Sequence, residues 1–112
     1  MNHEEAQCAV FIDSLQEVEF WVRNLERDQC AFWLQTSTDK FYPDFVAKLQ
    51  DGRFLAVEYK GSHLETSEDT KEKDAIGQLW AVRSKGQCLF LLVTKKTMRE
   101  DLLAAVRRSS GT

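Results

Sequence analysis

Apolar positions at three- and four-residue spacing open the chain. Ala6, Cys8, Ala9, Val10 and Ile12 give residues 3–14 a helical period, with Asn2 placed to cap the first turn. The pattern then changes. VEFWVRN at 18–24 is β-branched and aromatic and predicts a strand, and AFWLQT at 31–36 predicts a second, with 25–30 as the polar turn between them. Residues 41–49 and 53–60 predict two more strands joined across Gln50-Asp51-Gly52, Asp-Gly being a strong hairpin signal. Helical spacing returns over 70–84, with Ala75, Ile76, Leu79, Trp80 and Val82 as the expected apolar face and Lys85-Gly86 as the stop. QCLFLLVT at 87–94 is apolar at nearly every position, as in a strand covered on both faces. Residues 97–108 predict a last helix, with Thr97 and Glu100 at capping-box spacing and Met98, Leu102, Ala105 and Val106 as its core stripe.

The order α-β-β-β-β-α-β-α implies an antiparallel portion built by hairpins. A helical crossover then brings 87–94 back parallel to a hairpin strand. The expected fold is α/β (α+β), a mixed sheet with helices on its faces, in one domain over 1–108 with 109–112 as a tail. A length of 112 residues fits one domain. With 29% charged residues, one proline and seven phenylalanines, disorder is excluded. No apolar run approaches the roughly 18–20 residues of a membrane span, so no membrane partner is expected. No basic stretch precedes the short apolar segment at the N-terminus, so no signal peptide is visible. Cys8, Cys30 and Cys88 are odd in number and match no zinc spacing, which suits a reducing, cytoplasmic compartment. Cys8 and Cys88 sit in apolar patterns as small core residues, and nothing supports a cysteine nucleophile with His3 or His63 as its base.

The net charge of −3 argues against a generic nucleic-acid binder, but it is unevenly spread. Residues 1–82 hold 8 basic against 16 acidic residues, and 83–112 hold 7 against 2. The basic end (Arg83, Lys85, Lys95, Lys96, Arg99, Arg107, Arg108) is either a phosphate-facing surface or a solvated helix face.

The chemistry lies in two adjacent predicted strands that carry ionisable residues. FYPDFVAKL is interrupted by Asp44, and RFLAVEYKG by Glu58 and Lys60. Side chains alternate along a strand, so Glu58 and Lys60 share a face while Val57 and Tyr59 take the other, Tyr59 facing the core. Counting outward from the Asp-Gly turn places Asp44 close to opposite Glu58. Pro43 suits a place where the ladder opens. Two carboxyl groups at one spot repel unless one is protonated or a cation neutralises them. Mg²⁺, a hard ion with oxygen ligands, would do so and would leave water positions for a phosphate, with Lys60 beside it. The plainer alternative is a cross-strand ion-pair set on a solvated sheet face.

Pro43-Asp44 followed after a hairpin by Glu58-Tyr59-Lys60 resembles the PD-(D/E)XK nuclease motif. More narrowly, WVRN (21–24), FYPDF (41–45), DGRFLAVEYKG (51–61) and TKEKDAIGQLW (70–80) resemble the C-terminal endonuclease domain of type III restriction enzyme Res subunits and related DEAD/DEAH-box helicases, over roughly residues 4–94. The resemblance implies a restriction-endonuclease-like fold, with the strand at Ala31 and the last helix as departures. It implies an Mg²⁺-dependent DNA endonuclease, Mn²⁺ substituting, with Asp44, Glu58 and the Tyr59 backbone carbonyl as metal ligands. Lys60 would orient water or stabilise charge. Glu5 is the implied further ligand from the first helix, with Glu4 beside it, although Glu5 also stands at the third helical position after Asn2. Gln78 near metal or DNA and Lys73 on phosphate are further carry-overs, against a solvated helix face for both.

Lys95, Lys96 and Arg99 are candidate DNA-backbone contacts. Trp21, Trp33 and Tyr42 read as core or edge aromatics more than as base-stacking platforms. No GxxxxGK[ST] loop is present, so there is no ATP site in this chain and a helicase or ATPase region would lie elsewhere in a longer chain or in a partner. One site cuts one strand, so a double-strand break implies a homodimer or two events. The alternative is a catalytically silent nuclease-fold module that binds nucleic acid or docks a helicase partner.

Overall fold

A computed structural model describes residues 2–60 and 67–108, so His63 and the tail 109–112 lie outside the described residues. In chain order the elements are α1 (His3–Ser14), β1 (Val18–Arg23), β2 (Leu34–Gln35), β3 (Lys40–Phe41), β4 (Phe45–Leu49), β5 (Phe54–Tyr59), α2 (Glu68–Arg83), β6 (Cys88–Val93) and α3 (Met98–Arg107). The main sheet runs β1-β4-β5-β6, and β2 and β3 form a separate two-stranded ribbon. β4 pairs antiparallel with both β1 and β5, while β6 returns parallel to β5 through the α2 crossover. The protein is thus a mixed α/β domain of three helices on a mixed central sheet, as expected.

Local chemistry sets several of these boundaries. Asn2 caps α1 by accepting the Glu5 N–H at 2.8 Å. Gly52, at φ 94°, lets the chain reverse between β4 and β5. Cys8, Ala9 and Ile12 of α1 and Met98, Leu102, Ala105 and Val106 of α3 pack on Phe45, Ala47, Leu55, Val57 and Tyr59 as one core. A second, smaller cluster of Phe41, Ala56 and Phe90 lies on the α2 side, flanked by Phe32 and Trp80. The three cysteines are free, with Cys8 buried, Cys88 half-buried and Cys30 exposed. Among the described residues, no helix is long and apolar enough to cross a membrane.

Four expectations are corrected. The strand over 41–49 is broken, because Tyr42, Pro43 and Asp44 leave the ladder between β3 and β4. Pro43 has no N–H to donate, so the ladder cannot run through it. The strand over 31–36 contracts to Leu34–Gln35 outside the main sheet, since the Asn24 side chain bonds both the N–H and the C=O of Phe32. The capping box at Thr97 is not formed. Thr97 is αR at φ −100°, ψ −13°, and its Oγ1 accepts the Thr94 N–H at 3.0 Å instead.

The fourth correction concerns α2, which starts at Glu68 with Ser67 as its cap. Its expected apolar face meets the sheet only in part: Trp80 packs against the Phe41, Ala56 and Phe90 cluster, while Leu79 is left 49% and Val82 74% exposed. The helix also meets the sheet at Gly77, over which the Phe90 ring lies so closely that a Cβ would overlap it. Absence of a side chain at Gly77 lets the helix come this close.

This makes α2 testable. Gly77→Ala forces overpacking of about 3 kcal/mol against roughly 1 kcal/mol of helix propensity gained, a net loss of about 2 kcal/mol in urea unfolding. Val82→Ala stays within about 0.5 kcal/mol. The opposite ranking would show that the apolar stripe, not Gly77, faces the sheet.

Candidate functional site

Strand register assembles the site at one end of the sheet. β4–β5 pairing joins Phe45 to Val57, so the next row sets Asp44 against Glu58. β1–β4 pairing joins Arg23 to Phe45, which extends that row to Asn24, whose N–H donates to the Asp44 carbonyl at 2.9 Å. β5 runs past the start of β4, leaving Tyr59 without a ladder partner on that side. The Asp44 carboxylate takes that place, its Oδ2 accepting the Tyr59 N–H at 2.8 Å. Glu58 is only 7% exposed. Its Oε2 lies 3.7 Å from Lys60 Nζ, and its Oε1 is buried with no hydrogen-bond partner among the described residues. The three residues read from sequence as one constellation are therefore brought together. Tyr59 is buried against the α1–α3 core, with its main chain between Glu58 and Lys60.

Burial makes this row electrostatically costly. Loss of water, and then the charge of Asp44, push the Glu58 carboxyl up to about 8, against the pull of Lys60 and Lys73. Asp44 is also raised, by burial first and then by the charge of Glu5, while the Tyr59 N–H works to hold it down. These are not groups of a solvated ion-pair set, where exposure would screen them. Burial, with the charges of Asp44 and Glu5, pushes the Cys8 thiol up to about 12, which keeps it a neutral core thiol.

The remaining predicted residues divide. Glu5 is close enough to act on Asp44, but its backbone serves the Asn2 cap. Among the described residues no three or more His, Cys, Asp or Glu side chains are already gathered as a metal cage. Glu4 bears on the Tyr59 phenol instead. Lys73 faces the site from α2: it bears on Glu58, sits over the Phe41 ring at 5.2 Å and pairs with Asp69 at 3.2 Å.

Gln78 bonds within α2, its Nε2 donating to Asp74 at 3.3 Å, and across to β6. Its Nε2 donates to the Phe90 carbonyl of β6 at 3.2 Å, satisfying a group at the sheet edge. Lys95 and Lys96 are exposed in the turn after β6, while the Arg99 guanidinium lies over the Phe11 ring at 5.1 Å, between α3 and α1. Trp21 packs edge-on to Phe45 and donates to Asp13, Tyr42 is half-buried, and Trp33 is exposed under Lys40. The residue that sequence reasoning passed over is Asn24. The signal available was a lone amide closing a strand, at the end of WVRN.

A hard divalent cation fits the donor set. Two carboxylates supply oxygen ligands, Glu58 Oε1 has no hydrogen-bond partner among the described residues, and burial disfavours both acids as anions. With two side-chain ligands, the rest of such an ion's shell falls to main-chain oxygen and water, as is usual for Mg²⁺.

Stability should follow the same electrostatics. The folded chain holds a proton on Glu58 up to about 8, whereas the unfolded chain releases it near the ordinary 4.5. Between these values the folded state binds more protons, so stability of the metal-free protein falls as pH rises. Thermal unfolding in a chelator should show that slope, and Glu58→Gln should flatten it and melt above wild type at pH 8. A variant with the wild-type slope would place the pH dependence elsewhere.

No protein-family model, curated protein or solved structure matches the chain, so the reading of this site rests on its own geometry.

Proposed function

We propose that this chain is a divalent-metal-dependent nuclease domain of the restriction-endonuclease-like PD-(D/E)XK type, hydrolysing phosphodiester bonds in DNA. The observation that carries the reading is the buried Glu58 carboxylate in the row with Asp44 and next to Lys60, one of its oxygens having no hydrogen-bond partner among the described residues. A docking module has no use for two repelling acids out of water, whereas a metal-dependent hydrolase does.

Asp44, Glu58 and the Tyr59 carbonyl would hold Mg²⁺ or Mn²⁺, which when bound neutralises the acids and polarises a phosphoryl oxygen. Asp44 is kept in place by the Tyr59 N–H. Lys60 orients the attacking water and lowers the energy of the negative charge that builds on phosphorus-bound oxygens. Lys73, Lys95 and Lys96 take phosphates along the same end of the sheet, since Lys60 is bonded through its N–H to Val93, two residues before Lys95. Arg99, held over Phe11, is left to packing between α1 and α3.

The sequence likeness to type III restriction and helicase-linked nuclease domains suggests a setting. An ATP-driven motor would belong to another region or subunit, and a double-strand break would need two copies of this site. Free cysteines suit work in the cytoplasm.

Nicking of supercoiled plasmid DNA tests the reading. Wild type should nick with Mg²⁺ or Mn²⁺ and not in a chelator. Asp44→Ala and Lys60→Ala should each lower the rate at least about a hundredfold, and Lys73→Ala by up to about tenfold. Wild type as inert as its variants, with no metal binding by calorimetry, contradicts it. DNA or helicase-fragment binding without cleavage would point to the silent module instead.

A further inference from the structure

We infer that Asn24 is a positioning residue of this site: it fixes the Pro43–Asp44 kink against β1 and, through Phe32, ties that kink to α2. The inference rests on the nuclease reading and adds a residue to it. Asn24 follows β1 directly and is 8% exposed. Its Nδ2 donates to the Pro43 carbonyl at 2.9 Å and to the Phe32 carbonyl at 2.6 Å, and its Oδ1 accepts the Phe32 N–H at 2.8 Å. Its main-chain N–H takes the Asp44 carbonyl at 2.9 Å. Both side-chain donors and the acceptor are thus used on backbone that the sheet ladder does not reach.

The kink needs such a holder. Tyr42, Pro43 and Asp44 lie outside β3 and β4, and Pro43 has no N–H of its own to anchor it. Asp44 is fastened on one side by its carboxylate to Tyr59 and on the other by its carbonyl to Asn24. The second tie runs further. Phe32, bonded twice to Asn24, packs tilted on Trp80 with ring centroids 4.9 Å apart. Trp80 is on α2, two turns after Lys73, the cation that bears on Glu58. The side-chain amide therefore sets Pro43, the residue before Asp44, and registers the kink with the helix that carries Lys73, while the Asn24 main-chain N–H holds the Asp44 carbonyl.

No other residue type of this size offers two donors and an acceptor together. Aspartate would set an oxygen against the Pro43 and Phe32 carbonyls, and an apolar residue would leave the buried Pro43 carbonyl and the half-buried N–H and C=O of Phe32 without these partners.

The test compares Mn²⁺ affinity by calorimetry and plasmid nicking rate in Asn24→Ala, Asn24→Asp and a destabilised control, Val106→Ala, which lies in the α1–α3 core away from the site. Positioning predicts a ten- to hundredfold loss in Mn²⁺ affinity and in nicking for the Asn24 variants, while Val106→Ala, at a similar loss of melting temperature, keeps wild-type affinity. Asn24→His, with one donor and one acceptor, should recover part of the loss, and it carries the comparison if Asn24→Ala does not fold. Asn24 variants that bind Mn²⁺ and nick like wild type overturn the inference alone. A wild-type chain that does neither overturns the site reading and this inference together.

Discussion

Repulsion between two carboxyl groups with little access to water is the constraint around which this fold is arranged. Asp44 and Glu58 face each other across β4 and β5, and burial of Glu58 raises its proton affinity into the physiological range. Buried ionisable pairs of like sign do not stabilise a fold, and apolar residues of the same volume would serve the core better. The Lys60 ammonium at 3.7 Å and Lys73 offset part of the cost, yet Glu58 Oε1 has no hydrogen-bond partner among the described residues. On the proposed reading, such a loss of stability would be the usual trade of stability for activity.

The rest of the molecule serves to hold that row. The α1–α3 core on one face and Phe41, Ala56 and Phe90 on the other keep β4 and β5 rigid and dry. Pro43 ends β4 early, which exposes the Tyr59 N–H to the Asp44 carboxylate. Gly77 brings α2 close over Phe90, and Lys73 lies one turn earlier on the same helix. The acids come from strand register, the cations from a strand and a helix, and the orientation from backbone bonds that Asn24 and Tyr59 supply.

Much of this was legible because it depends on short-range rules. The Asp-Gly turn fixes the β4–β5 register, and with a side-chain period of two that alone puts Asp44 opposite Glu58 and Lys60 on the Glu58 face. The parallel return of β6 follows from the handed crossover. What was not legible depends on contacts distant in sequence. The apolar residues of α2 showed only part of its buried face: Trp80 packs against the sheet cluster, but the close contact of a glycine with a ring thirteen positions on carries no apolar signal. The 31–36 segment has strand composition, but Asn24 takes the Phe32 backbone groups first. Gln78 has the residue type of a nuclease carry-over, yet the Phe90 carbonyl at the edge of β6 claims its amide. The Thr97 hydroxyl is likewise claimed by Thr94.

Electrostatic relief by a divalent cation is the central claim, and diffraction from crystals grown with Mn²⁺ tests it most directly. The account predicts one anomalous peak between the Asp44 and Glu58 carboxylates, within about 2.0–2.3 Å of an oxygen of each, with Glu58 Oε1 now engaged. Crystals soaked in Mn²⁺ that show no peak there, with Glu58 still protonated beside Asp44, would contradict it.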